Sequence, residues 1–200
     1  MARTSDAGKT PFMGPSSYVI LGLLDLIGPA TPYDLKRVVA GSVGYFWPFP
    51  QSQLYAEAER LAGLGLVEEA AEGSGRRRRV FRLTAAGRRQ LQRWVKEPTD
   101  AQTELRDLGL LKLFFATAVD RRAVTALAEH QRTAHQRRLD EYRAIDAGFT
   151  DDDRSPPRRT LEMGLTFERA MVAFWTAVVS EPPDLKPTGR GPASLQGSVG

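Results

Sequence analysis

The chain has 200 residues, 42% of them hydrophobic, and a formal net charge of +4. Such a length holds one or two small domains with a real core, and such a composition excludes a disordered chain and a polycation. There is no cysteine, which excludes disulfides and thiol chemistry and fits a reducing cytosol.

In chain order, residues 1–15 are small and polar without periodicity and predict a flexible arm; they contain no apolar core of a secretory signal. A first helix is predicted from about Ser16 or Ser17 in "SSYVILGLLDLI", with Ile20, Leu23, Leu24 and Ile27 on one buried stripe and Gly28-Pro29 as its stop. Thr31 is expected to cap a short second helix, "PYDLKRVVA", with Pro32 at its first position and Gly41 at its end. The stretch "GSVGYFWPFP" is too rich in glycine and proline for regular structure. A third helix spans roughly Gln51 to Ala62, with Leu54, Ala58 and Leu61 inward and Gln51, Ser52, Gln53 and Tyr55 crowding its first turn.

After Gly65 the period changes. "LVEEAAE" predicts a strand, a glycine turn follows, and "VFRLT" predicts a second strand with Phe81 and Leu83 on one face and Val80 and Arg82 on the other. Between them lie Arg76, Arg77, Arg78 and Arg79; from Gly73 to Lys96 the chain carries nine basic residues and no acidic one. Thr84 should cap a fourth helix, "AAGRRQLQRWVKE", with Leu91, Trp94 and Val95 inside. Three helices followed by a hairpin and a helix describe a winged helix-turn-helix, in which the third helix enters the DNA major groove and the wing lies against the adjacent backbone. A basic loop pinned at both ends by paired strands can bring several guanidinium groups to neighbouring phosphates together.

Residues 17–98, through "VILGLLDLIGPATPYDLKRVV", "FWPFPQSQLYAEAERLAGLGLVEE" and "GRRRRVFRLTAAGRRQLQRWVKEP", resemble the PadR family of transcriptional regulators. The resemblance implies a winged-helix domain, a homodimer made by C-terminal helices, and repression relieved by a small molecule or another signal. By position it implies DNA-facing roles for Tyr33 and Lys36 on the second helix, Gln51, Ser52, Gln53 and Tyr55 on the third, and Arg76, Arg77, Arg78 and Arg79 on the wing. The wing departs from the family's single basic residue after glycine, so which of its arginines touches DNA stays open.

In the second half, "ELRDLGLLKLFFATAV" is apolar on two sides, Leu108, Leu111 and Phe115 on one and Leu110, Leu113 and Phe114 on the other, and should be buried between partners. A long helix capped by Asp120 carries a narrow stripe of Val124, Leu127, Leu139, Tyr142 and Ile145, as a coiled-coil seam does. The polar "DDDRSPPRR" reads as a break. The last helix, "TLEMGLTFERAMVAFWTAVV", is apolar nearly all round and calls for a partner. Residues 181–200, rich in Pro, Gly and Ser, predict a disordered tail.

The expected organisation is therefore mainly α with a small β-hairpin wing: an arm at 1–15, a DNA-binding domain at 16–98, a helical dimerisation domain at 99–180 and a tail at 181–200. His130 and His135 are five apart, where helical metal ligands are usually four apart, and read as surface or seam residues. Trp94, Phe114, Phe115, Phe174 and Trp175 either form core or line a pocket for a small aromatic or hydrophobic effector, with Trp94 the leading candidate. No phosphate loop, nucleophile elbow or HExxH motif is present, so an enzyme is not expected, nor a cofactor. No apolar run reaches the roughly 20 residues a bilayer needs, and no amphipathic stretch supports membrane docking. The reading is a cytoplasmic regulator that binds an inverted-repeat operator as a homodimer and is released by an effector; the alternative is a winged-helix module that binds proteins.

Overall fold

The computed structural model describes residues 13–48, 50–71 and 79–185 and divides into two compact units, Met1–Gln102 and Thr103–Gly200. Most of the arm and tail, and the wing tip with Arg76, Arg77 and Arg78, lie outside the described residues.

In the first unit, helix α1 spans Pro15–Ile27, α2 Pro32–Ala40 and α3 Gln51–Gly63; strands β1 (Val67–Ala71) and β2 (Arg79–Leu83) follow, then α4 (Ala85–Lys96). Thr31 caps α2 in a reciprocal box with Asp34, and Pro32 occupies the first turn, where a missing N–H costs nothing. The stretch between α2 and α3 holds a single 3-10 turn, Val43–Tyr45. The buried core draws Ile20, Leu23 and Leu24 from α1, Leu35 and Val39 from α2, Leu54, Ala58 and Leu61 from α3, Val67 and Phe81 from the hairpin and Leu91 from α4.

The strands pair antiparallel from Val67 opposite Leu83 to Ala71 opposite Arg79. The other edge of β2 is not left bare: Phe81 and Ala30 exchange both backbone hydrogen bonds, at 2.9 and 3.0 Å, tying the hairpin to the α1–α2 loop. The entry to α4 is equally constrained. Thr84 Oγ1 accepts from the Gly87 amide and donates toward the carbonyls of Gly65 and Leu66. A Cβ on Gly87 would lie 2.1 Å from the Leu66 carbonyl oxygen, so only glycine allows this approach.

Helix α4 runs antiparallel along α1: Arg88 pairs with Asp25, Leu91 faces Gly22, and Trp94 stacks on Tyr18 with ring centroids 4.4 Å apart. The expected inner stripe of α4 needs correction beyond Leu91. Trp94 is covered on one face and Val95 is exposed, because the last turn of α4 meets only the first turns of α1. Ile27, placed on the buried stripe of α1, is half-exposed at the helix end, and Pro15 belongs to that helix rather than to an arm.

The second unit comprises α5 (Leu108–Phe114), a 3-10 turn at Ala116–Ala118, α6 (Arg121–Asp146) and α7 (Pro156–Ser180). Asp107 and Asp120 cap α5 and α6 through their carboxylates. Helices α6 and α7 form an antiparallel hairpin, with Arg158 on Asp146 near the turn and His135 on Glu168 midway. Tyr142 packs its ring against Gly164, where a Cβ would come within 2.8 Å. Beyond this, Ala116, Val124, Ala128, Met171, Trp175 and Val178 close a second core, with Leu110 and Leu113 against it.

Two expectations change here, and the open apolar face expected of the last helix in a single chain is present. The "PPRR" of the polar break is the first turn of α7, since proline is welcome at the first helical positions. Helix α7 is not covered all round: Leu165, Glu168, Met171, Trp175 and Val178 are buried, while Met163 and Phe174 are exposed. The apolar segment before α6 is helical for only seven residues. Leu110 and Leu113 reach the core, but Leu108, Leu111, Phe114 and Phe115 remain in solvent.

Candidate nucleic-acid interface

The capped start of α2 and the buried face of α3 decide what is left outward. With Leu35 and Val39 inward, Tyr33 and Lys36 on α2 are exposed. With Leu54, Ala58 and Leu61 inward, Ser52, Gln53 and Tyr55 on α3 are exposed. Gln51 opens the helix, next to Pro50, which supplies no side-chain cap. None of the side chains of Tyr33, Lys36, Ser52, Gln53 and Tyr55 is hydrogen-bonded or ion-paired to another described residue. Exposed polar and aromatic groups on the first turns of α2 and α3, without partners among the described residues, suit contacts made to something outside the molecule.

Helix α3 also carries Glu57 and Glu59, which would repel phosphates if left bare. Both are paired with an arginine. Glu57 accepts from the Arg60 guanidinium and from the hydroxyl of the buried Ser17, which itself accepts from Arg60 at 2.9 Å. The Arg60 bond holds the Glu57 carboxyl below its ordinary value, against the opposing effect of burial. This network fastens α3 to the first turns of α1.

Glu59 accepts from Arg79, which also makes a bidentate pair with Glu69, Nε to Oε1 at 2.5 Å and Nη2 to Oε2 at 2.8 Å. The Arg79 bonds hold Glu69 low, and those to Glu69 and Glu59 raise Arg79. Arg79, grouped by the sequence with its three neighbours as a DNA contact, is thus turned toward the protein's own carboxylates. Strand alternation accounts for this: Arg79 lies two residues from Phe81 and shares its inward face, while Arg82 is exposed on the other. Glu57, Arg60, Glu59 and Glu69 were not singled out by the sequence reading; the parity of β2 was the one available signal.

The aromatic residues considered for an effector do not form one group. Trp94 stacks on Tyr18 in the first unit and is 41% exposed, so its outer face is open to a ligand. In the second unit Phe114 and Phe115 meet edge to face in solvent. Trp175 is fully buried in the second core, touches Phe174 edge to face, and has an indole N–H without a partner among the described residues. A separate open groove of about 580 Å³ between α6 and α7 is lined by Val172 and by polar side chains, among them Arg132, Gln136 and Arg137, and by no aromatic one. His130 is exposed and His135 sits in the α6–α7 seam; no group of three or more potential metal ligands occurs among the described residues.

Three helices, the third with an outward polar face, and a hairpin paired to the loop between the first two define a winged helix-turn-helix protein, joined here to a helical second unit. Comparison with known proteins agrees and is more specific. Residues 20–93 match the transcriptional regulator PadR-like family and residues 105–181 the virulence activator alpha C-term model. Over residues 20–93 the chain is thus similar to the PadR-like family of transcriptional regulators. A curated relative, the negative transcriptional regulator PadR of Bacillus subtilis (strain 168), is 26% identical over 126 residues, covering 62% of this chain and 69% of the relative. Among solved structures, Bacillus subtilis PadR in complex with operator DNA matches with a TM-score of 0.72 and 22% identity, over 82% of this chain and 96% of that one. The same regulator with p-coumaric acid matches at 0.69 and 21% identity, over 84% and 97%. These structures share the fold. No helix among the described residues is long and apolar enough to cross a membrane.

Proposed function

We propose that this regulator binds an inverted-repeat DNA operator as a two-fold homodimer in the cytoplasm and represses transcription until an effector releases it. It works by binding, not by catalysis. The observation that carries the reading is the outward face of α2 and α3: Tyr33 and Lys36 on α2 and Ser52, Gln53 and Tyr55 on α3 have no side-chain partner among the described residues, while the two carboxylates of α3 are both held by arginines. Gln51, Ser52 and Gln53 read base edges, since glutamine pairs bidentately with adenine in the major groove. Tyr33, Lys36 and Tyr55 reach the backbone, as do the wing arginines Arg76, Arg77 and Arg78.

The homodimer rests on the uncovered apolar surface of the second unit, Leu108, Leu111, Phe114, Phe115, Met163 and Phe174. A small aromatic or hydrophobic effector is supported by the structure of Bacillus subtilis PadR with p-coumaric acid. In this chain Trp94 of the first unit is the first candidate contact, and Phe114, Phe115 and Trp175 of the second unit are separate, lower-ranked candidates.

The test is the affinity of the full chain for duplex DNA across a salt series. Phosphate contacts release counterions, so log K falls with log salt by about 0.9 per phosphate neutralised. A steep slope that flattens in the Arg76→Ala, Arg77→Ala, Arg78→Ala triple variant is expected. A chain that binds no DNA at low salt is a protein-binding module instead.

A further inference from the structure

Arg79 is the one wing arginine whose partners the structure describes, and its surroundings are not those of a group waiting for a phosphate. Three of its five N–H donors are in use, two on Glu69 of β1 and one on Glu59 of α3. One face of the guanidinium lies over the Phe81 ring, 5.8 Å from its centroid. The three side chains therefore join three elements: the outgoing strand, the incoming strand and the reading helix. Glu59 lies seven residues after Ser52 and four after Tyr55, on the same side of α3. The link thus runs from the base of the wing to the face of the helix that meets DNA.

The charges point the same way. Two carboxylates and one guanidinium sum to −1. Were Arg79 to swing out to a phosphate, it would leave Glu59 and Glu69 bare beside that phosphate. Isolated exposed ion pairs hold little, but a bidentate arginine shared between two carboxylates is the geometry in which such pairs do hold.

We propose that Arg79 is a positioning residue, which clasps the wing to the reading helix through Glu59 and Glu69 and leaves the wing's phosphate contacts to the arginines that precede it. The inference rests on the DNA-binding reading above, and its test has one arm that needs no DNA.

In the first arm, hydrogen exchange of the β1 and β2 amides is followed in the full chain without DNA. Arg79→Met and the double variant Glu59→Gln, Glu69→Gln should each speed exchange at the outer end of the hairpin by about threefold or more, because the clasp is lost. Unchanged exchange in both overturns the proposal. In the second arm, the salt slope is measured on random-sequence duplex. The triple variant Arg79→Met, Glu59→Gln, Glu69→Gln, which leaves no carboxylate bare, should keep it within about half a unit of the wild type, whereas the double variant should steepen it by about one, because Arg79 is released to bind a phosphate. A slope flattened by about one in the triple variant overturns the proposal, since Arg79 would then be an ordinary phosphate contact. If the wild type shows no salt-dependent DNA binding, the functional reading fails, and the exchange arm alone upholds or overturns the clasp.

Discussion

The uncovered face of α5 makes a quantitative prediction. Leu111 is 54% exposed and Phe115 62% exposed in the single chain. Fully burying such side chains is worth about 1.5–3 kcal/mol each. The part still open to solvent is then worth roughly 1 kcal/mol for Leu111 and 1.5 kcal/mol for Phe115. A two-fold interface contains each residue twice, so the pair is worth about 5 kcal/mol per dimer, between three and four orders of magnitude in Kd. Leu111→Ala with Phe115→Ala should therefore weaken the dimer by about fiftyfold or more, even if burial at the interface is only half complete. Because both residues are exposed in the protomer, helical content should be unchanged. Sedimentation velocity over a concentration series, with circular dichroism as the folding control, measures both. A wild-type chain that is monomeric at micromolar concentration, or a double variant with the wild-type Kd, refutes the reasoning.

Other consequences follow from the first unit. Gln53→Ala should lower discrimination at one operator position by about 1–3 kcal/mol while sparing binding to random DNA, and Tyr55→Phe should weaken binding to every sequence; affinities for the operator, its single-base variants and random duplex separate the two. Gly87→Ala puts a methyl group 2.1 Å from the Leu66 carbonyl oxygen and should cost about 1–3 kcal/mol of stability, seen as a lower Tm with unchanged α6–α7 helicity. The Glu57 carboxyl, held below its ordinary 4.5 chiefly by Arg60, stabilises the fold above that pH, and this contribution is lost as pH falls through the lowered folded value. Thermal melts from pH 6 downward should show a smaller acid loss in Glu57→Gln than in the wild type.

The sequence was most informative where one local rule sufficed. The stripe of Leu54, Ala58 and Leu61 follows from the helical period, and it turns Ser52, Gln53 and Tyr55 outward without further information. Thr31, Thr84 and Asp120 stand just before apolar periodic runs, and each caps the helix expected of it. Expectations weakened where a helix outran its neighbour, as at Ile27 and Val95, because periodicity says which face is apolar and not how far the partner extends. The proline pair at Pro156 and Pro157 read as a break, although the same residues open α7. The Arg79 clasp needs both the parity of β2 and the approach of α3 to the hairpin. The first was legible from Phe81, and the second is a long-range contact that no local pattern encodes.

The central claim, a two-fold symmetric reader of DNA built from α3 and the wing, is tested most directly by selecting bound duplexes from a random pool with the full chain. The account predicts an enriched inverted repeat whose half-site centres lie about 34–36 Å apart along the helix axis, or a multiple of that, one for each reading helix. A pool that shows no enrichment, or a single half-site without symmetry, would contradict it.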